Sequence, residues 1–121
     1  MRKININYDN SLFEFICDTE DTKNGFKHVC NLFINNIHAT AATCYYYNRT
    51  WESWNYQTVC ITAVNNLLNE YIEQKKDQFK ALHNYSRITK KRANEFTKHL
   101  KNCSRYNMLT AVRDNLQYKL H

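Results

Sequence analysis

A chain of 121 residues with a single glycine, Gly25, and no proline has little with which to reverse its direction. Folds built from many short strands place glycine or proline at most of their turns. Their scarcity therefore predicts few reversals, long helices and a small sheet. At this length one domain is expected over residues 1–121, able to bury about two-thirds of its unfolded surface.

The period of the apolar residues divides the chain in two. Over residues 25–48 they alternate, as in a strand pair. Asn35-Asn36 tolerates the left-handed backbone that a two-residue turn requires. A hairpin turning there places Phe26, His28, Cys30, Leu32 and Ile34 on one face. Ile37, Ala39, Ala41, Thr43, Tyr45 and Tyr47 return on the same face, with Leu32 opposite Ala39 and Phe26 opposite Tyr45. Before it, Ile4, Ile6 and Tyr8 alternate in a strand pattern, and residues 11–18 form a candidate second strand. "DTEDTKN" reads as a polar connection.

From Tyr56 the step changes to three and four. Val59, Cys60, Ala63, Val64, Leu67, Leu68, Tyr71 and Ile72 predict a helix over about 53–82, capped by Thr50 or Ser53. Such a helix outreaches a small sheet, so its far end is expected to pack on other helices or on another subunit. "HNYS" interrupts the pattern, and Ser86 is positioned to cap a second helix. A third carries Leu109, Val112, Leu116 and Leu120 on one stripe. The expected class is α+β: a small N-terminal antiparallel sheet, about 1–50, followed by two or three long helices over about 53–120.

Charge is distributed unevenly. Residues 1–60 carry a net −1 and residues 61–121 a net +7. The second half therefore favours an anionic partner, or else simply presents a solvated lysine-rich surface. Arg87, Lys90, Lys91, Lys98, Lys101 and Arg105 recur at helical steps, so Arg87, Lys91 and Arg105 are candidate phosphate contacts, with nucleic acid as one possible ligand. "CYYYNRTWESW" (44–54) reads either as an aromatic junction between sheet and helix or as a cleft lined by Tyr46, Arg49 and Trp51.

One glycine excludes a glycine-rich phosphate loop, and no nucleophile elbow is present, so the chain is expected not to be an enzyme. No catalytic residue, metal ligand or cofactor is assigned. His99 and Cys103 have a spacing that a metal uses but lack a second pair. Cys30 and His28 share a face that belongs to the core. The five cysteines read as reduced thiols. No long apolar run or leader is evident, which predicts a cytoplasmic protein with no membrane contact.

"NGFKHVCNLFINN…YYYNRTWESWNYQTV" resembles small accessory proteins of phages and prophages of Gram-positive bacteria, over about residues 24–70, with "NRTWE" the most distinctive piece. In size and architecture the chain is also similar to the anti-Thoeris sponge proteins. Those form oligomers and sequester cyclic ADP-ribose isomers, or cyclic oligonucleotides, made by bacterial defence enzymes. The resemblance implies a homo-oligomer in the infected host cell that traps such a nucleotide. It implies Arg105 and Arg113 as phosphate ligands, and Trp51 or Phe79 as stacking rings. The alternatives are an anti-CRISPR protein docking on a Cas nuclease, hence a host defence protein as partner, and a nucleic-acid-binding accessory protein using the 87–105 cluster.

Overall fold

The computed structural model describes residues 1–48 and 55–119. Four strands, β1 (Arg2–Tyr8), β2 (Ser11–Thr22), β3 (Gly25–Ile34) and β4 (Ile37–Tyr46), form an antiparallel meander in the order β1-β2-β3-β4. Three helices follow: α1 (Gln57–Leu82), α2 (Lys90–Lys101) and α3 (Ser104–Lys119). The fold is α+β, as the sequence predicts.

Asparagine and aspartate take the place that glycine has in most hairpins. Asn35 and Asn36 turn with φ of 51° and 67°, and Asp9 and Asn10 with 48° and 66°. Both turns lie at the same end of the sheet. Asn35 ties them together: its Oδ1 accepts from the Leu12 N–H at 2.9 Å, and its own N–H donates to the Leu12 carbonyl at 2.9 Å. Residues 18–22, read from the sequence as connection, continue β2, with Glu20 paired to Lys27 at 3.3 Å. Cross-strand hydrogen bonds to β3 outweigh the low strand propensity of that acidic run.

The hairpin register departs from expectation in one residue. Leu32 pairs with Thr40 and Phe33 with His38, so Ala39 is an extra residue in β4. A one-residue bulge exchanges the two faces of everything beyond it. Ala42, Cys44 and Tyr46 therefore turn toward the core, while Ala41, Thr43 and Tyr45 face solvent, and Phe26 pairs with Tyr46 rather than Tyr45.

Helices α1 and α3 cover the inner face. Ile4, Ile6, Phe13, Phe15, Cys17, Cys30 and Leu32 meet Val59, Cys60, Ala63, Val64, Leu109, Val112 and Leu116 there. Each fully buried large side chain stabilises this core by about 1.5–3 kcal/mol. Gln57 locks the start of α1 to the end of α3, its Nε2 donating to the carbonyls of Leu116 and Gln117 at 3.3 and 3.0 Å. Leu120 lies outside the described residues, but the rest of the predicted α3 stripe is buried.

Helix α1 starts at Gln57, where Asn55 Oδ1 accepts the Gln57 N–H at 2.9 Å. Thr50 and Ser53, the expected caps, lie outside the described residues. Twenty-six residues make α1 about 39 Å long. Its far end is covered by its own chain: Phe79 packs with Phe96 and Leu100 of α2 in a second small core. Helix α1 stops at His83, with Asn84 left-handed behind it (φ 59°). Helix α2 is capped by Thr89 rather than Ser86; Oγ1 of Thr89 accepts the Arg92 N–H at 3.4 Å. No described helix is long and apolar enough to cross a membrane.

Candidate functional site

Arg105 stands in the first turn of α3, exposed, beside the end of the sheet where both hairpins turn. It lines three depressions. One, about 390 Å³, lies between the Tyr8-Asp9 turn with Ser11 and the start of α3, at Ser104, Asn107 and Met108. The second, about 400 Å³, lies across Ile34, Ile37, His38, Ala39, Leu67 and Glu70. The third, about 90 Å³, runs along α1 by Tyr71 and Gln74. Among the described residues Arg105 forms no ion pair, so its five N–H donors face these spaces uncommitted to a carboxylate. Unpaired N–H groups of the first turn of α3 add partial positive charge there.

The chemistry of the rim is mixed. Asp9 and Glu70 offer acceptors for hydroxyl or amino groups, while Tyr8 and His38 offer rings. Tyr71 is held in place beneath: burial, and then a hydrogen bond with Cys103, push its phenol pKa up, and nearby Arg105 opposes them. The arrangement suits a ligand carrying both phosphate and hydrogen-bond donors.

The other predicted site residues scatter. Arg113 lies eight residues further along α3, about 12 Å from Arg105 along the axis, half-buried, with Nε 3.7 Å from Asp114 Oδ1. Phe79 is a core ring, 4% exposed, packed against Phe96 at 5.4 Å and His83 at 4.5 Å. Its edge borders a depression of about 250 Å³ with Lys75, Gln78, Leu82 and His99. Arg87 precedes α2, and its carbonyl accepts from Arg92 Nη1 at 3.0 Å. Arg92 in turn lies 3.8 Å above the Tyr85 ring. Lys91 is exposed in the first turn of α2. The single basic stripe expected over 87–105 is thus divided among a connection, α2 and α3, because Thr89 starts one helix and Asn102 ends it.

Arg49 and Trp51 lie outside the described residues. The described flank of that stretch is a packed seam. Tyr46 stacks on Phe26 at 5.3 Å, and His28 sits 4.9 Å from Tyr46 and 4.7 Å from Tyr56. The Tyr56 hydroxyl meets Thr19 Oγ1 at 2.9 Å. For Tyr46 the junction reading holds.

Among the described residues His99 and Cys103 belong to no group of three or more side chains placed to hold a metal. Helix α2 ends between them, and the Cys103 thiol donates to the His99 carbonyl at 3.4 Å. A different cysteine group forms instead. The sulfurs of Cys17, Cys30 and Cys60, all buried, lie within 4.8 Å of one another. Hydrogen bonds from Cys30 and Cys60 hold the Cys17 thiol down to about 4, and the thiols of Cys30 and Cys60 are pushed up by the same contacts and by burial. Sequence reasoning missed this group because no short spacing marks it.

Tyr8, Asp9 and Glu70 were also missed at the Arg105 site. Only Asp9-Asn10, a turn pair between alternating strands, carried a signal for the neighbourhood. In comparisons with known proteins, no family model matches the chain, and neither a curated protein nor a solved structure matches it.

Proposed function

We propose that the protein captures a small anionic nucleotide at Arg105 and acts by binding it rather than by transforming it. The observation that supports this reading is the position of one exposed guanidinium where three depressions meet. Two of these are near the lower end of the roughly 300–1,000 Å³ typical of ligand sites. Carboxylates at the rim favour a ligand that has hydroxyls as well as phosphate. The biological class proposed, an anti-defence sponge for a cyclic ADP-ribose isomer or cyclic oligonucleotide in the infected cell, rests on resemblance in size and architecture to the anti-Thoeris sponge proteins, beside that of residues 24–70 to phage accessory proteins.

Magnitudes constrain the assembly. A charged hydrogen bond to phosphate contributes about 1.5–3 kcal/mol, and stacking about 1–3 kcal/mol per base. Micromolar capture needs about 8 kcal/mol net. One Arg105 site falls short, so tight capture requires a second copy of the chain to close the open side.

Thermal shift and calorimetry with cyclic ADP-ribose isomers and cyclic dinucleotides test this reading, together with light scattering for size. Binding that raises the melting temperature with ligand excess, in a particle larger than one chain, is the expected result. A monomer that shifts with no member of the panel would falsify it.

A second reading, nucleic-acid binding, draws on α2. Lys90, Lys91, Lys98 and Lys101 are exposed, and among the described residues none is in an ion pair. In that case affinity for duplex DNA falls steeply with salt, by a logarithmic slope of about −0.9 per phosphate contacted.

A further inference from the structure

Three cysteines distant in the sequence meet at one point between sheet and helix. Cys17 of β2 and Cys30 of β3 are cross-strand partners on the inner face. Cys60, in the first turn of α1, closes over them, its sulfur 3.5 Å from that of Cys17. None of the three exposes any surface, and none is in a disulfide.

Buried cysteines often serve as small apolar side chains. Packing alone, however, does not require three sulfur atoms from three elements to point at one another. At a metal–sulfur distance of about 2.3 Å, three sulfurs around one cation stand roughly 3.8–4.0 Å apart. The spacing here, from 3.5 Å to no more than 4.8 Å, brackets that value. Hard cations prefer oxygen, whereas three thiolates select soft closed-shell ions.

We propose that Cys17, Cys30 and Cys60 form a three-thiolate site for one thiophilic cation, copper(I) or zinc(II), which staples β2 and β3 to α1. Binding is ligand exchange without electron transfer: each coordinating sulfur that still carries a proton releases it to solvent as it bonds the metal. Copper(I) is satisfied by three sulfurs. Zinc needs a fourth donor, and Cys44 of β4 is the next thiol on this face, opposite His28 and now 3.6 Å from Thr62 Oγ1. Because the triangle is sealed, loading occurs as the chain folds.

The test refolds the full chain anaerobically, under a phosphine reductant, with one equivalent of copper(I) or of zinc(II). Native mass spectrometry then counts metal, and X-ray absorption reads the donor shell. One cation per chain in a sulfur-only shell is expected, with affinity at least tenfold weaker in Cys17→Ser, Cys30→Ser and Cys60→Ser and unchanged in Cys103→Ser. Copper bound through three sulfurs and retained in Cys44→Ser assigns copper; zinc bound through four sulfurs and lost in Cys44→Ser assigns zinc. Failure of both metals to bind the refolded wild type overturns the site, as does a shell of nitrogen and oxygen. The absorption measurement needs only wild-type protein, so it decides for or against the site even where a serine variant does not fold.

Discussion

The carbonyl of Tyr46 lies directly against the α-carbon of Gly25, so close that a β-carbon on residue 25 would overlap its oxygen. The only glycine of the chain thus serves a close approach of β4 to the start of β3, not a turn.

Gly25→Ala forces the backbone of Tyr46 and Tyr47 to move. Overpacking of this kind costs about 1–3 kcal/mol, and a backbone obstacle belongs at the upper end. A fall in melting temperature of about 10 °C is expected in a thermal scan. An unchanged value would show that the end of β4 shifts freely.

Asn35 and Asn36 share a backbone conformation but differ in what they hold. Asn36→Gly relieves a left-handed residue that makes no side-chain bond among the described residues, and should stabilise by about 0.5–1 kcal/mol. Asn35→Gly gains the same backbone relief but removes the acceptor for Leu12, which costs about 1 kcal/mol, so it should be close to neutral. Urea titrations separate the two variants, with a raised midpoint expected for Asn36→Gly alone.

Phe79→Ala removes the central ring of the second core, at a cost of about 3–5 kcal/mol. Because α2 rests chiefly on that ring, its amides should exchange faster while those of β2 and β3 stay protected. Equal loss of protection throughout would mean that the two cores unfold together.

For the metal-free protein the cysteine group sets a pH dependence. Cys30 and Cys60 are raised above their ordinary value. Their stabilisation is therefore complete below the unfolded pKa, near about 8.5, and is lost as pH rises through the folded values. Cys17, held down to about 4, acts oppositely: its stabilisation is complete above the unfolded pKa and is lost as pH falls toward 4. Cys44, His28 and Arg2 are the neighbouring titratable groups. Stability should peak at about pH 8–9 and fall on either side. Urea midpoints from pH 5 to 10.5 measure this, and Cys60→Ala should flatten the alkaline limb.

Arg105 and Arg113 are distinguished by location. Arg105→Ala should weaken nucleotide binding by about 10- to 150-fold, the equivalent of 1.5–3 kcal/mol for a charged hydrogen bond. Arg113→Ala, removed from the depressions and beside Asp114, should change it less than twofold. Calorimetry on both variants decides, and equal losses would move the site along α3.

Much was legible in the sequence because local periods are set by local geometry. Alternation at Ile4–Tyr8 and Gly25–Ile34, and three- and four-residue steps through Val59–Ile72 and Leu109–Leu116, follow from how strands and helices present side chains. Asn35-Asn36 marked its turn through the backbone that asparagine tolerates. The extra residue Ala39 was not legible, since either register of β4 alternates equally well and only packing against α1 selects one. The cap of α2 was displaced for a similar reason: Ser86 and Thr89 both qualify near its start, and the fold uses Thr89. The convergence on Arg105 and the meeting of Cys17, Cys30 and Cys60 belong wholly to tertiary structure. Each joins elements dozens of residues apart, and neither leaves a spacing along the chain, because the distances that matter are closed by the sheet and the helices laid across it.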